Sequence, residues 1–236
     1  MAQLKPTPTK ASEKRYASDL RKIAKASSML IMSHVDDWRF DSSALILLAK
    51  YAESLTPWAM RTASKMLSDT NSNSDRFFSS QMKSIGKEYN RQLAESIAGM
   101  KAKQLQNEQV ELIKSIPIKA GLRAQELSQQ AVADGKRAAE VAREIARTNE
   151  VTESRAMLIA RTETAKASAT FNETRALSVG SKGYIWRTAE DGDVRETHAQ
   201  LDGQYFTWDN PPCIEDEGCH HPGEIWNCRC WAEVVI

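Results

Sequence analysis

Residues 179–188 read VGSKGYIWRT, and the character of the chain changes within this stretch. Before it, residues 12–179 contain only two prolines and four glycines, and their apolar residues recur at helical spacing. From Gly180 onward lie six of the ten glycines, four of the six tryptophans and all four cysteines. Strands are predicted there at 184–188 and 231–236. The sequence therefore predicts an α+β fold, with a long, mainly α-helical N-terminal body and a small C-terminal module containing a few β-strands.

The helical part should contain several helices whose starts follow capping and proline rules. The predicted starts are Ser12, the residue after the N-cap Asp41, Thr56, the residue after the N-cap Asp75, and Thr152. Breaks are predicted at the polar run 71–74, at Pro117 and at Gly135, because these residue types favour turns or interrupt helices.

Three segments follow from this pattern. Residues 1–11 are expected to be a flexible N-terminus, residues 12–134 an α-helical body, and residues 135–236 a C-terminal module. Within the module, residues 136–179 are expected to be helical and residues 180–236 to contain the strands. The β-containing part is too small to bury a core alone, so it is expected to share the last helices.

The formal net charge of +1 conceals an asymmetry between the two parts of the chain. From Gly180 to the end the net charge is −7, whereas residues 1–179 carry a net charge of +8. Such dilute positive charge is more typical of long exposed helices than of a dedicated DNA-binding protein. No run of about 18 apolar residues predicts a membrane span. The first residues show no signal-peptide pattern, so a protein made and used in a cytoplasm is predicted.

All four cysteines fall in the last 24 residues, together with two adjacent histidines, which indicates one local site. Thiolates combined with imidazole suit a tetrahedral structural zinc. The candidate ligands are His198, Cys213, Cys219, His221, Cys228 and Cys230. The last two cysteines are separated by one residue, so their sulfurs need a local turn to meet one ion. Three states stay open: a structural zinc, reduced buried thiols, or a disulfide, which needs an oxidising environment.

An ordered set of motifs runs through the last hundred residues. The set comprises ARTE at 160–163, WRT at 186–188, the acidic turn at 190–193, RETHAQLDG at 195–203, and PG at 222–223 followed by CRC at 228–230. This order resembles the phage Mu F-like head-morphogenesis family. A related form of that pattern has Cys-x-x-Cys where this chain has Arg195 and His198. The resemblance implies a low-copy head component that is associated with the portal vertex and needed for normal capsid assembly.

The residues that carry this motif are interpreted as structural, and no catalytic residue is assigned. They are Arg161, Glu163, Trp186, Arg195, His198, Asp202 and Gly203. Arg161 and Glu163 are two apart on a helix, do not face each other, and each need a separate partner in the β-containing part. Arg195 and His198 are three apart and would share a helix face. The tryptophans are expected to fill the core of a module that is poor in aliphatic residues.

The expected function is therefore non-enzymatic: a minor head protein of a tailed bacteriophage, present in the virion and in the host cytoplasm during assembly. The implied partners are the portal protein and capsid components, together with packaged DNA contacted without sequence specificity. One alternative is a nuclease-like or toxin-like C-terminal enzyme using His198, although no paired-carboxylate or nucleophile–base spacing supports it. Another is a zinc-stabilised DNA-binding protein. The net charge of −7 in residues 180–236 argues against it, because this charge would repel phosphate. No cofactor besides structural zinc is indicated.

Overall fold

The computed structural model of the protein describes residues 3–4, 10–36, 39–134 and 138–236. Most of these residues are helical, and the predicted α+β fold is confirmed. The helices within the described ranges are α1 (Lys10–Met32), α2 (Ser43–Ser54), α3 (Thr56–Ser84), α4 (Arg91–Asp134), α5 (Ala138–Ala146), α6 (Thr148–Ser178) and α7 (Glu196–Ala199).

The strands are short and pair in antiparallel fashion. They are β1 (Gln3–Leu4), β2 (Val35–Asp36), β3 (Arg39–Phe40), β4 (Gly183–Arg187), β5 (Tyr205–Thr207), β6 (Cys213–Ile214), β7 (Gly218–Cys219) and β8 (Trp231–Val235). The main sheet has the order β1-β8-β4-β5, while β2-β3 and β6-β7 form separate two-stranded ladders. Within the N-terminus that was predicted to be flexible, Gln3–Leu4 pairs with β8 and satisfies backbone groups there. Residues 1–2 and 5–9 lie outside the described residues, so the flexibility of this segment stays a prediction.

The described residues form two compact units. The sheet unit contains the described part of Met1–Glu13 together with Ser64–Leu105 and Arg161–Ile236, and the helical unit contains Lys14–Ala63 and Gln106–Ala160. These limits differ from the predicted division at residue 135, because parts of α3 and α4 belong to the same unit as the strands. The predicted limits of the C-terminal module, residues 135–236, therefore remain a prediction.

The sheet unit has a core that joins helices to strands. Phe78 and Met82 of α3 and Ala176 of α6 pack with aromatic residues of the sheet and with the last two cysteines. The buried core residues are Phe78, Met82, Ala176, Tyr184, Trp186, Trp208, Ile214, Cys228, Cys230 and Val234. Four aromatic side chains in this set supply much of the buried apolar area, as expected for a small sheet with few aliphatic residues.

The helical unit has a core of its own, made of aliphatic residues, alanines and one phenylalanine. Its buried residues are Ile31, Phe40, Ala44, Leu48, Ala120, Ala124, Ala131, Val141 and Ile145. Gly121 lies so close to α2 that an added Cβ would be 2.6 Å from Leu48 Cδ1. The small residues of α4 therefore allow α2 to pack closely against it.

The predicted loop at residues 71–74 and the N-cap at Asp75 are wrong, because α3 runs through both without interruption. The polar side chains that suggested a loop make tertiary hydrogen bonds instead. Ser74 Oγ donates to Asn172 Oδ1 at 2.7 Å, and Arg175 Nη2 donates to Asn71 Oδ1 at 2.9 Å. Asp75 is buried and forms an ion pair with Arg91 at 2.6 Å. Tertiary partners thus outweigh the local turn tendency of these residues.

The break predicted at Pro117 is also wrong, because this proline lies inside α4. Pro117 has no N–H to donate and would disfavour an isolated helix. Here the residues around it, Ile113, Ile116 and Ala120, are buried, so packing holds the helix together on both sides. The break predicted at Gly135 falls outside the described residues. Thr56 begins α3 as predicted, and the last long helix begins at Thr148 rather than at Thr152.

Replacing Gly99 by alanine is expected to raise the free energy of unfolding by about 0.5–1 kcal/mol, since Gly is a poor residue in a helix interior. Gly99 lies in α4, is exposed, and would have no atom within 4 Å of an added Cβ. Urea unfolding followed by circular dichroism measures the change. Gly86 is the control: it has equal space but a φ of +67°, so Gly86→Ala should lower stability. A loss of stability in Gly99→Ala would contradict the expectation.

Candidate functional site

Several motif residues of the sheet unit lie close together next to β4. Trp186 of β4 is fully buried, and its ring meets the ring of His198 edge to face, with centroids 5.4 Å apart. His198 lies in α7, and only 1% of its surface is exposed. The short helix therefore turns the histidine inward, onto the tryptophan, rather than toward solvent.

Glu217 connects two of the motif residues. Its Oε2 accepts a hydrogen bond from His198 Nε2 at 2.7 Å, and its Oε1 lies 3.1 Å from Arg195 Nε. Arg195 also donates through Nη2 to the carbonyl of Trp226 at 2.9 Å. Burial would raise the pKa of Glu217, but the hydrogen bond from His198 and the positive charge of Arg195 together lower it. The carboxylate thus stays ionised between its two partners.

The second ring nitrogen of His198 faces a pair of thiols. His198 Nδ1 lies 3.5 Å from Cys228 Sγ and 3.4 Å from Cys230 Sγ. Both cysteines are reduced and buried. A hydrogen bond from Cys230 lowers the pKa of the Cys228 thiol, and the same contact together with burial raises the pKa of Cys230. One thiol of the pair therefore ionises much more readily than the other.

The other predicted ligands lie elsewhere. Cys213 and Cys219 face each other across the β6-β7 hairpin and are joined by a disulfide bond, so neither offers a thiolate. His221 Nδ1 is 2.9 Å from the hydroxyl of Tyr184. The structure thus divides the six candidates: it brings His198, Cys228 and Cys230 together, and it directs Cys213, Cys219 and His221 to other partners.

The ARTE segment of α6 receives the turn that precedes the last two cysteines. Thr162 Oγ1 accepts a hydrogen bond from the backbone N–H of Asn227 at 3.0 Å, and Arg161 Nη1 is 3.4 Å from Asn227 Oδ1. Arg161 also lies 3.8 Å from Glu13, and Glu163 is buried. The Arg161 side chain on α6 thus contacts Asn227, a residue of the β-containing part.

The LDG motif fixes the connection from α7 to β5. Asp202 Oδ1 accepts a hydrogen bond from the backbone N–H of Thr188 at 2.7 Å. The N–H of Gly203 donates to the carbonyl of Trp186 at 2.9 Å, and Gly203 has a φ of +79°. That conformation favours glycine, which explains the residue type at this turn.

The acidic turn after β4 is tied to the CRC motif. Arg229 forms an ion pair with Asp191, and its Nη2 is also 3.0 Å from Asp193 Oδ2. Motifs that are 35 residues or more apart in the sequence therefore contact one another directly. Sequence reasoning did not single out Glu217 or Asn227, because nothing separates Glu217 from its acidic neighbours before the fold is known. His220 belongs to the cysteine and histidine cluster of the sequence, but its neighbour His221 is the one predicted there as a candidate ligand.

The buried arrangement around His198 is suited to stabilising the fold or to binding a soft metal ion rather than to chemistry on a substrate. Both ring nitrogens of His198 have partners, and the ring is enclosed by Trp186, Glu217 and the two thiols. A general base must reach a proton on a substrate. The surroundings of His198 leave no open nitrogen for that purpose.

The comparison with protein families points to a class of phage protein. Residues 123–233 match the family model described as Phage Mu protein F like protein. This part of the chain, a little under half of its length, is similar to the Mu F-like family, and the similarity suggests a protein of phage head morphogenesis.

One similar protein is an uncharacterized protein of Haemophilus influenzae. It is 40% identical over 121 residues, which cover 51% of this chain and 26% of the relative. The chain thus spans about a quarter of the length of that relative. No solved structure matches the chain significantly. None of the helices in the described ranges is long and apolar enough to cross a membrane.

Proposed function

We propose that the protein is a non-enzymatic minor component of a tailed-phage head, bound at the portal vertex during assembly. The Mu F-like segment supports the assignment to head morphogenesis. The observation that carries the non-enzymatic part is the enclosure of His198, which is 1% exposed and has contacts at both ring nitrogens. In this proposal the motif residues stabilise the fold of the sheet unit, and the folded unit then binds the partner proteins.

The partners follow from the class of protein and from the charge distribution. The portal protein and neighbouring capsid components are the proposed protein partners, with the chain present in the virion and in the host cytoplasm during assembly. Residues 1–179 carry the net charge of +8, so this part is the one suited to lie near packaged DNA without reading its sequence. The strongly acidic remainder is suited to protein contacts.

His198→Ala is expected to reduce folding, incorporation into heads and infectivity together, since the ring supports Trp186 and Glu217. Complementation of a phage that lacks the gene measures all three: melting temperature of the purified variant, its amount in purified heads, and plaque yield. Gln200→Ala is the matched control, because Gln200 lies just after α7 and is exposed. It should leave all three readouts unchanged.

The competing enzymatic role makes a different prediction for the same variant. A His198→Ala protein that folds normally and enters heads normally, yet loses a nuclease or transferase activity, would contradict the structural role. The portal association is tested separately by co-purification with portal rings. A chain that occurs in heads at the copy number of the major capsid protein would refute the vertex location.

A further inference from the structure

The strongest unexplained feature of the sheet unit is the cluster of two reduced thiols around one imidazole. The atoms His198 Nδ1, Cys228 Sγ and Cys230 Sγ lie within 4.8 Å of one another, and all three residues are buried. In a tetrahedral zinc site with Zn–S of about 2.3 Å and Zn–N of about 2.0 Å, neighbouring N and S ligand atoms lie about 3.5 Å apart. The two N···S distances here are 3.5 and 3.4 Å.

We propose that His198 Nδ1, Cys228 Sγ and Cys230 Sγ bind one structural zinc ion. His220, whose ring centroid is 5.6 Å from that of His198, would become the fourth ligand when its Nε2 turns from Glu217 toward the sulfurs on metal binding. Two thiolates neutralise the charge of the divalent ion, which makes its burial compatible with an apolar core. The site would use three protein segments: α7, the end of the β6-β7 hairpin, and the turn before β8.

The hydrogen bonds around His198 fix the tautomer that a metal ligand needs. Glu217 accepts from Nε2, so the proton is on Nε2 and the lone pair of Nδ1 points to the sulfurs. A carboxylate that accepts from the far nitrogen of a ligating histidine is the usual support of a zinc site. Arg195 holds the other oxygen of Glu217 and so fixes the position of that support.

His220 is prepared in a similar way. Its Nδ1 is 3.1 Å from the carbonyl of His221, so Nδ1 carries the proton and Nε2 has the free lone pair. This Nε2 is buried and has no hydrogen-bond partner, and it lies 3.5 Å from Glu217 Oε2, a long and poorly aligned contact. A buried nitrogen without a partner is costly, and coordination of a metal would satisfy it.

The local backbone brings the two sulfurs to one point. In a regular strand, residues 228 and 230 would project to one face with no reason to converge. Here they precede β8, which starts at Trp231, and they follow a turn in which Asn227 has a φ of +58°. The backbone N–H of Asn227 bonds to Thr162 of α6, so the turn is anchored to the long helix.

A second group in the described ranges, made of His198, Glu217 and His220, also has its ligand atoms within 4.8 Å of one another. It is the weaker candidate because Arg195 already occupies Glu217, and because zinc in structural sites prefers thiolates. The two groups differ in one measurable respect, since only the first contains sulfur.

The test uses the full chain without a histidine tag. We expect stoichiometric zinc by elemental analysis and, after exchange with cobalt chloride, the intense absorption of thiolate-to-cobalt charge transfer. Cys228→Ser and Cys230→Ser should each remove the zinc, and a chelator should lower the melting temperature of the wild type. The double variant Cys213→Ser with Cys219→Ser is the matched control and should retain full zinc content.

Softer variants keep the test valid if the cysteine variants do not fold. Glu217→Gln should weaken zinc affinity about 10- to 100-fold, as loss of a supporting carboxylate does elsewhere. His220→Ala should weaken it as well, and unchanged affinity would overturn the assignment of the fourth ligand. Folded wild-type protein that takes up neither zinc nor cobalt would overturn the site. Bound cobalt without thiolate absorption would also overturn it, in favour of the group that contains Glu217.

Discussion

Trp186→Ala should lower the free energy of unfolding of the sheet unit by about 3–5 kcal/mol, the range found when a large aromatic residue is removed from a core. Trp186 lies within β4 and is completely buried, with 0% of its surface exposed. Its ring supports His198 from one side and Phe206 from another, with centroids 5.4 and 6.3 Å away. Removing it leaves a cavity beside the buried thiols.

Urea unfolding monitored by tryptophan fluorescence and by circular dichroism measures the loss. Trp226→Ala is the matched control, because Trp226 is 40% exposed and only its backbone carbonyl accepts from Arg195. This control should change stability by less than about 1 kcal/mol, as is usual for surface positions. Equal losses in the two variants would show that the ring of Trp186 is not central to the core.

Gly183→Ala is expected to be nearly as damaging, with a loss of about 3 kcal/mol, at the upper end of overpacking effects. An added Cβ would lie 2.3 Å from the carbonyl oxygen of Phe206 and 2.5 Å from the hydroxyl of Tyr205. The carbonyl belongs to the backbone of β5, so relief requires β4 and β5 to move apart. That movement would break the register in which Gly183 faces Thr207.

Gly192→Ala is the control for Gly183→Ala, since an added Cβ at residue 192 meets nothing within 4 Å. It should leave the melting temperature of the sheet unit unchanged, whereas Gly183→Ala should lower it and reduce the protection of β5 amides from hydrogen exchange. Normal protection of β5 in Gly183→Ala would contradict the steric argument.

The sequence predicted the elements whose signals are local. Thr56-Pro57 marks a helix start because proline is favoured in the first turn, and α3 does begin at Thr56. The run at 184–188 predicted β4 because aromatic and β-branched residues favour strands. The polar run at 71–74 misled for the opposite reason: its side chains bond to Asn172 and Arg175, which are about 100 positions away in the chain.

The site was predictable only as a set of residue types. Clustering of cysteine and histidine near the C-terminus indicated a local site, but it could not assign partners. Cys213 pairs with Cys219 because the β6-β7 register places them opposite each other. His220 rather than His221 turns toward His198, and Glu217 reaches it from the same hairpin. Such choices depend on turn geometry, which neighbouring residue types do not specify.

The sharing of Phe78 and Met82 with the sheet core has a consequence for gene exchange between phages. The Mu F-like segment starts at residue 123, yet its core includes two side chains encoded well upstream of that point. A recombination event that transfers only the downstream part would deliver a sheet with an uncovered apolar face. We expect viable hybrids to inherit the coding region of α3 together with the C-terminal motifs, or to receive a replacement helix with apolar residues at the same places.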